Sequence, residues 1–337
     1  MRRVLIDVPV HHGSLEQLRG LGGLEIDLVD PPEERRRPQA PERLRDVDIL
    51  FCALPPENFD DLRNLRWVQV CSAGYTQLLG LDLAARGIKA ANGRGNFDVP
   101  IAEWNVAMMV TLRRDLRQMI RNQEVRAWDR SAVFQREIRG LTVGIWGYGG
   151  IGRETARLAK AMGMRVHVMS RRGVGPIGDV YSVAGTGDLR GILPDRVFLA
   201  GHENDFLSEL DFLILAMPLT PTTEGIVGEA ELRALPPQAC LLNPARGPLV
   251  REEALLKALE LGWIAGAALD THYRYPMPPD HPLWGFPNVI FTPHISGSAL
   301  SPYFLARAWD IFLQNVERDR AGRPLLNELA RDQLEVR

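Results

Sequence analysis

The sequence predicts an α/β protein with two domains, and three observations support this prediction. The chain has 337 residues, which is long for a single domain. Short β-rich runs alternate with helical patterns along nearly its whole length, as in parallel α/β folds. The string Gly147-Tyr148-Gly149-Gly150-Ile151-Gly152 follows one β-rich run and opens a helical pattern, as in a doubly wound sheet.

The β-rich runs fall into two sets. The first set comprises Arg3 to Val8, Glu25 to Val29, Val47 to Ala53, Arg66 to Ser72 and Ile88 to Ala90. The second set comprises Thr142 to Trp146, Arg165 to Ser170, Phe212 to Met217, Ala239 to Asn243, Gly266 to Asp270 and Val289 to Thr292. Six strands in series predict a complete doubly wound sheet. Residues 173–205, rich in Gly and Pro, are longer than a simple crossover requires, so we interpret them as an insertion.

Two long helical patterns bracket the second set of strands. In the first, Asp98 is an N-cap candidate, Pro100 lies in the first turn, and apolar residues continue the pattern to Leu116. The second begins near Ser301-Pro302 and continues towards Gly322. We expect these helices to carry the chain from one domain to the other and back.

Composition restricts the classes of function. The 40 basic and 42 acidic side chains leave a formal charge of −2 without a long block of one sign, so we expect small-molecule partners rather than nucleic acid or a membrane surface. The cysteines Cys52, Cys71 and Cys240 lie far apart in apolar runs, which predicts buried reduced thiols rather than disulfides or metal ligands. Asp7 and Pro9 interrupt the first apolar run, so we expect no signal peptide and a cytoplasmic protein.

The glycine-rich string has the spacing of a dinucleotide-binding fingerprint. In such a motif Gly147 makes the tight turn, Gly149 lets the backbone approach the pyrophosphate, and Gly152 permits close helix packing. The N-terminus of the following helix then faces the phosphates. The alternative is a structural glycine-rich turn, and the order of strand, string and helix favours the dinucleotide.

The end of the next strand favours NADP(H) as the cofactor. This strand ends at Ser170-Arg171-Arg172, 18 residues after Gly152, where an NAD-specific site usually carries an acid for the ribose hydroxyls. No acid is present there. A hydroxyl and two guanidinium groups suit a 2′-phosphate. The alternatives are NAD(H) and an ordinary solvated arginine pair.

Five motifs occur in the order found in D-isomer-specific 2-hydroxyacid dehydrogenases, and the sequence resembles that family most strongly over about residues 98–299. The motifs are Leu141 to Gly152, Ala216 to Thr223, Asn243 to Gly247, Ala268 to Asp270, and Thr292 to Gly297. In the flanks the resemblance is weaker, and there Cys71 to Tyr75 is similar to the substrate loop of the family.

The resemblance implies an architecture. A Rossmann dinucleotide-binding domain, residues 98–299, would be inserted into a flavodoxin-like substrate domain made of residues 1–97 and 300–337. Catalysis would take place in the cleft between the domains. The family also implies a homodimer formed through the dinucleotide-binding domains.

The resemblance also implies roles for individual residues. Those expected at the cofactor are Gly150 and Ile151 at the pyrophosphate, Met217, Pro218 and Thr223 along the groove, Pro244, Ala245 and Arg246 beside the nicotinamide, and Asp270 at its carboxamide. Backbone N–H groups of Ala73 and Gly74 are expected to hold one carboxylate oxygen of the substrate.

Arg246 and His294 are the expected catalytic residues. A 2-oxo acid presents a carboxylate and a carbonyl oxygen that gains negative charge during hydride transfer, and the guanidinium of Arg246 can address both. His294 resembles the acid/base of the family, which protonates the alkoxide in reduction and removes the hydroxyl proton in oxidation. The other histidines are assigned no role. No metal is expected, because direct hydride transfer needs none.

The pattern departs from the family at one position. The family places a glutamate, which pairs with the catalytic histidine, five residues after the position of Asp270. Tyr275 stands there in this sequence, and no carboxylate occurs from Thr271 to Pro279. A neutral phenol stabilises an imidazolium less than an anion does.

We therefore predict an NADPH-preferring oxidoreductase that reduces a small 2-oxo acid to a D-2-hydroxy acid. Two alternatives stay open. Tyr275 allows an inactive or regulatory NADPH-binding homologue. Tyr275 and residues 173–205 together also allow an enzyme whose reshaped pocket takes a different substrate.

Overall fold

A computed structural model describes residues 1–32, 35–131, 136–299 and 301–334 and divides the chain into two compact units. Unit 1 contains Met1–Phe97, Gly178–Ser182 and Ser298–Arg337, and unit 2 contains Asp98–Ile177 and Val183–Gly297. The expected division at 97/98 and 299/300 placed residues 178–182 with the dinucleotide-binding domain. In the structure they belong to unit 1, and the expected domain bounds stay a prediction.

Strands and helices alternate along most of the chain. The strands are β1 (Arg2–Asp7), β2 (Leu24–Leu28), β3 (Ile49–Cys52), β4 (Trp67–Val70), β5 (Lys89–Ala91), β6 (Thr142–Trp146), β7 (Arg165–Ser170), β8 (Arg196–Leu199), β9 (Phe212–Leu215), β10 (Cys240–Asn243), β11 (Gly266–Leu269) and β12 (Val289–Phe291). The helices are α1 (His12–Gly20), α2 (Pro41–Leu44), α3 (Asp98–Arg114), α4 (Leu116–Glu124), α5 (Gly150–Ala161), α6 (Glu203–Leu207), α7 (Glu229–Ala234), α8 (Glu252–Glu260), α9 (Pro302–Arg320) and α10 (Arg331–Leu334).

Unit 1 is a doubly wound α/β fold. Within its described residues, five strands form a parallel sheet in the order β2-β1-β3-β4-β5, and the direction of winding reverses between β1 and β3. Strand β3 is fully buried, and the ring of its Phe51 stacks on Phe312 of α9 with centroids 4.4 Å apart. The predicted start of α9 is confirmed, because Ser301 Oγ accepts a hydrogen bond from Phe304 N at 3.2 Å.

Unit 2 carries a larger parallel sheet of Rossmann type. Its described residues form seven strands in the order β12-β11-β10-β9-β6-β7-β8. The six predicted strands are present, and β8 is an additional one inside the segment interpreted as an insertion. Strand β8 is a short edge strand with three of its four residues exposed, although Val197, Phe198 and Leu199 are apolar. It pairs with β7, with His167 opposite Arg196 and Ser170 opposite Leu199.

The first long helical pattern also differs from the prediction. The pattern predicts one helix to Leu116, but α3 ends at Arg114 and Asp115 adopts a left-handed conformation with φ 45°. The carboxylate of Asp115 accepts a hydrogen bond from Gln118 N at 3.4 Å and starts α4. The single predicted helix is therefore divided into α3 and α4.

The cysteines follow the prediction, because Cys52, Cys71 and Cys240 are buried thiols that form no disulfide. In the described part of the chain no helix has both the length and the apolar character needed to span a bilayer. The homodimer and the cytoplasmic location stay predictions.

Candidate active site

The glycine-rich loop between β6 and α5 is shaped by close backbone approaches. Gly147 has φ 101°, and a Cβ atom there would lie 2.6 Å from the carbonyl oxygen of Ala216. A Cβ at Gly152 would lie 2.5 Å from the carbonyl oxygen of Gly147, and one at Gly150 would overlap the carboxylate of Asp98. Gly147 and Gly152 are therefore required by the protein itself, because they meet backbone atoms, whereas at Gly150 the neighbour is the end of the Asp98 side chain.

Gly149 differs from the other glycines of the loop. It precedes α5 with φ −80°, and a Cβ there would meet no atom within 4 Å. The free space at Gly149 adjoins the first turn of α5, which contains the partly buried Ile151 and whose backbone N–H groups lack partners within the helix. This arrangement fits a pyrophosphate.

Two alanine variants test this division of roles. We expect Gly147→Ala to destabilise the protein by about 1 to 3 kcal/mol, because alanine is strained at this φ and meets the carbonyl of Ala216. Gly149→Ala should keep the wild-type stability and weaken dinucleotide binding. Urea unfolding and fluorescence titration with NADPH and NADH measure the two effects. Wild-type dinucleotide affinity in a folded Gly149→Ala variant would contradict the pyrophosphate assignment.

The end of β7 presents free positive charge. Ser170 Oγ donates a hydrogen bond to the carbonyl of Gly173 at 2.8 Å and so holds the turn that follows the strand. Arg171 and Arg172 are both exposed, and neither guanidinium forms a hydrogen bond or an ion pair with the residues that the structure describes. The two arginines are thus available to a phosphate.

The segment after Arg172 folds back onto the glycine-rich loop, a feature that sequence reasoning missed. Buried Arg153 donates to the carbonyl of Tyr148 at 3.2 Å and to that of Gly175 at 2.8 Å. The hydroxyl of Tyr148 donates to Asp188 at 2.8 Å. Burial alone would raise the pKa of Asp188, but hydrogen bonds from backbone amides of its own loop and from Tyr148 lower it. No sequence pattern could reveal these contacts, because the partners come from a loop without periodicity.

The loop after β9 is held by a threonine. Thr223 Oγ1 accepts a hydrogen bond from Thr220 N and donates one to the carbonyl of Pro218, both at 2.8 Å. Met217 is partly buried and Pro218 is exposed. The hydroxyl of Thr223 is therefore committed to the loop, and the predicted groove contacts of these residues stay predictions.

Arg246 stands on a rigid turn after β10. The side chain of buried Asn243 donates to the carbonyl of Arg246 at 2.8 Å and accepts from the amides of Ala245 at 3.1 Å and Arg246 at 3.2 Å. Pro244 is buried within this turn, whereas the Arg246 side chain is exposed. The backbone is thus fixed while the guanidinium stays accessible.

Asp270 anchors the loop that carries His294. Its carboxylate is fully buried and accepts hydrogen bonds from Thr292 Oγ1 at 2.6 Å, from Ile295 N at 2.9 Å, and from both the amide and the hydroxyl of Ser296. A carboxylate has about four acceptor sites, and this loop uses them all. The geometry therefore assigns Asp270 a positioning role, and its predicted contact with a nicotinamide carboxamide stays a prediction.

His294 lies in a tight turn. Its backbone is left-handed with φ 58°, and its amide donates to the carbonyl of Thr292 at 3.0 Å. The imidazole has no hydrogen-bond partner within the described part of the chain. Partial burial, followed by the charges of Arg246 and His272, lowers the pKa of His294, while the carboxylate of Asp270 opposes this effect.

Tyr275 lies beside His294, as its position in the sequence predicts. The two ring centroids are 5.6 Å apart and the planes are inclined by 50°. The phenol does not pair with the imidazole, because its oxygen accepts a hydrogen bond from His272 N at 3.1 Å. The ring of Tyr275 is therefore a neighbour of His294 that makes no hydrogen bond to it.

His272 is a second residue that sequence reasoning missed. Its buried ring stacks against Phe291 with centroids 5.1 Å apart, and its Nε2 lies 2.9 Å from the carbonyl oxygen of Thr292. That carbonyl also accepts the amide of His294. His272 thus helps to hold the turn of His294, and its place just after Asp270 is the signal that could have revealed it.

The predicted substrate loop belongs to unit 1. Ala73 and Gly74 are exposed, and their amides form no hydrogen bond with a described residue. Their carbonyls are held, that of Ala73 by Asn92 Nδ2 and that of Gly74 by Ser72 Oγ, both at 2.7 Å. The loop is therefore fixed with two N–H donors free.

Comparison with known proteins supports one family. Residues 106–296 match the family model described as D-isomer specific 2-hydroxyacid dehydrogenase, NAD binding domain. A glyoxylate reductase of Thermococcus gammatolerans is 34% identical over 310 residues, which cover 88% of this chain and 86% of the relative. A D-isomer specific 2-hydroxyacid dehydrogenase family protein from Aeromonas salmonicida has a TM-score of 0.77 and 27% identity, covering 98% of this chain and 99% of that one. The NADPH-dependent glyoxylate/hydroxypyruvate reductase of Sinorhizobium meliloti, solved with NADP and sulfate, shares the fold with a TM-score of 0.72 and 24% identity over 99% of each chain.

The Rossmann-type sheet and its glycine-rich loop are typical of dinucleotide-binding α/β proteins. More specifically, the chain belongs to the D-isomer-specific 2-hydroxyacid dehydrogenase family. It is an NAD(P)-dependent 2-hydroxyacid dehydrogenase, an enzyme that interconverts 2-oxo and 2-hydroxy acids.

Proposed function

We propose that this enzyme works mainly as a reductase of small 2-oxo acids, forms D-2-hydroxy acids and prefers NADPH. One observation carries the proposal. Arg246 and His294 are accessible on loops held by buried Asn243 and Asp270. These loops follow β10 and β12 at the carboxyl ends of parallel strands, where such sheets bind ligands.

The residues of unit 2 fit a dinucleotide. The free space at Gly149 and the first amides of α5 would hold the pyrophosphate. Arg171 and Arg172 would bind the 2′-phosphate of NADP(H). Pro244 and Ala245 would border the nicotinamide. When bound, the reduced nicotinamide supplies the hydride that the carbonyl carbon of the substrate accepts.

Arg246 and His294 have separate roles in binding the substrate and in protonating the product. The guanidinium of Arg246 binds the substrate carboxylate and stabilises the negative charge that develops on the carbonyl oxygen. Protonated His294 donates its proton to that oxygen, which becomes the hydroxyl of the product. The role of the Ala73 and Gly74 amides in holding a carboxylate oxygen of the substrate stays a prediction. Reduction requires protonated His294, so the activity should be present at acidic pH and fall as the pH rises. Because the pKa of His294 is lowered, this fall should lie at a lower pH than for an ordinary histidine.

A spectrophotometric panel tests the proposed function. The purified protein is incubated with NADPH or NADH and with glyoxylate, hydroxypyruvate, pyruvate or phenylpyruvate, and oxidation of the cofactor is followed. We expect turnover with NADPH, and chiral analysis should find the D-product. Binding of NADPH without turnover on any 2-oxo acid would contradict the proposal and favour an inactive homologue, which Tyr275 would explain.

Replacing Tyr275 by glutamate should move the pH dependence of reduction. A carboxylate beside His294 favours the imidazolium and raises its pKa, so the limb along which activity falls should shift towards higher pH. The measurement is kcat against pH with NADPH and one 2-oxo acid.

Tyr275→Gln is the matched control, because it changes the shape of the site in the same way without adding charge. The limb of this variant should stay near that of the wild type. Equal shifts in both variants, or no shift in a folded Tyr275→Glu protein, would contradict an electrostatic effect of position 275 on His294.

A further inference from the structure

Unit 2 contains a pocket at the edge of its sheet opposite the loops of the candidate active site. The pocket has a volume of about 600 Å³ and lies at the amino ends of three strands, because Cys240 starts β10, Ala265 precedes β11 and Asn288 precedes β12. Arg246 and His294 follow β10 and β12 at the carboxyl ends of these strands. The pocket is therefore separate from the chemistry proposed above.

Four arginines line this pocket. Arg117 and Arg121 lie one turn apart on α4, and Arg113 lies near the end of α3. Arg136 is held beside α3, because its amide donates to the carbonyl of Arg113 at 3.1 Å. Among the described residues of the lining, the acidic one is Asp115. Such an excess of positive charge in a pocket favours an anion.

The protein itself holds two of these arginines. Buried Arg113 pairs with the carboxylate of Asp211 at 3.0 Å, so its charge is neutralised. Arg117 is held by backbone groups at the start of β12 and does not pair with an acid in the described ranges. Its Nη1 donates to the carbonyls of Phe286 at 2.8 Å, Pro287 at 3.2 Å and Val289. These carbonyls fix the guanidinium of Arg117 without removing its charge.

The other two arginines are available to a ligand. Arg121 is half-buried and Arg136 is exposed, and neither guanidinium forms a hydrogen bond or an ion pair with any residue that the structure describes. The carboxylate of Asp115 accepts a hydrogen bond from Gln118 N at 3.4 Å. Its single negative charge offsets one of the three charges of Arg117, Arg121 and Arg136. Two positive charges in the lining therefore lack a counter-charge.

The arrangement on α4 places like charges together. Arg117 and Arg121 are four residues apart on one face of the helix, where like charges repel. Burial and then the charge of Arg121 lower the pKa of Arg117, while Asp115 opposes this effect. An anion between the two guanidiniums would remove the repulsion.

We propose that this pocket binds a phosphate group, either as inorganic phosphate or as the end of a small phosphate ester. A phosphate group has a charge of about −1.5 to −2 at pH 7 and three acceptor oxygens, which match the charge and the number of the arginines that remain. A carboxylate has two oxygens and a single charge. The volume of the pocket lies in the range of small-molecule sites, so an ester also fits.

Calorimetry with the whole protein tests the site, with inorganic phosphate, glucose 6-phosphate and glucose as the probes. We expect both phosphates to bind and glucose not to bind. Replacing Arg121 and Arg136 together by glutamine should raise the Kd for phosphate by about 10- to 100-fold, because charge-assisted contacts are lost. Replacing both by lysine should retain part of the affinity, because the charges remain. Tighter binding of glucose 6-phosphate would identify an ester as the ligand, and equal affinities would identify inorganic phosphate.

The variant with Arg171→Gln and Arg172→Gln is the matched control, because it removes two exposed arginines of the same unit outside the pocket. It should keep the phosphate site. Loss of phosphate binding in this variant alone would assign the binding to the cofactor site and overturn the proposal. A wild-type protein that binds neither phosphate would also overturn it, whatever the reductase activity.

Size-exclusion chromatography distinguishes a phosphate from a second copy of the chain. The variant with Arg121→Gln and Arg136→Gln should keep the oligomeric state of the wild type while it loses phosphate affinity. A changed oligomeric state, together with no phosphate binding to the wild type, would show that the arginines face acidic groups of another copy. That result would overturn the phosphate site.

Discussion

His294→Asn and Arg246→Gln should each lower kcat for 2-oxo acid reduction by about 10²- to 10⁴-fold. Without the imidazole, no side chain of the proposed site donates a proton to the forming alkoxide. Without the guanidinium, the substrate carboxylate and the developing negative charge lose their main partner. Steady-state kinetics with NADPH measures the loss, and fluorescence titration should show that NADPH affinity changes much less than kcat.

The structure indicates which substitutions remove the functional group without disturbing the backbone. The backbone of His294 is left-handed, and asparagine tolerates that conformation better than alanine does, so His294→Asn removes the acid with little added strain. Arg246→Lys keeps the charge without the planar fork and should lose less activity than Arg246→Gln.

His202→Asn is the control, because His202 is an exposed histidine of the same unit. It should keep wild-type kcat. Near-normal turnover in a folded His294→Asn or Arg246→Gln protein would contradict the catalytic assignment of that residue.

Replacing both Arg171 and Arg172 by glutamine should raise the Kd for NADPH by about 10- to 1000-fold and barely change that for NADH. A charge-assisted hydrogen bond to a phosphate contributes about 1.5 to 3 kcal/mol, and only NADPH carries the 2′-phosphate. Both side chains are exposed and free of protein partners within the described residues, so the double variant should fold normally. Titration of each variant with both cofactors measures the effect.

Arg190→Gln provides the matched control, since Arg190 is an exposed arginine of the segment that follows β7. It should leave both affinities unchanged. Equal losses for NADPH and NADH in the double variant would show that the two arginines do not recognise the 2′-phosphate. A wild-type protein that prefers NADH would also contradict recognition of the 2′-phosphate by these arginines.

Local patterns in the sequence were sufficient to predict the Rossmann-type sheet of unit 2. Its central strands are buried on both faces, as the pattern of β9 and β10 shows, and therefore read as continuous apolar runs. The glycine spacing likewise reflects steric limits that act over a few residues, from Gly147 to Gly152. Tyr275 beside His294 could be predicted because the spacing from Asp270 follows that of the family.

Contacts between segments distant in sequence decided the rest. Strand β8 forms through its pairing with β7. The division of the predicted long helix is different, because Asp115 caps α4 through a local contact with Gln118. Residues 178–182 belong to unit 1 through packing that no local pattern encodes.

The same distinction applies to the candidate site. The sequence by itself determined the family and the glycine-rich loop, and it predicted Arg246 and His294 as the catalytic residues. Only the tertiary structure showed that Asp270 uses its whole carboxylate on the His294 loop, and that His272 helps to hold the turn of His294. The physical reason is that residue types and spacings record local sterics and burial. A hydrogen bond or a charge in a pocket depends on which distant segments the fold brings together.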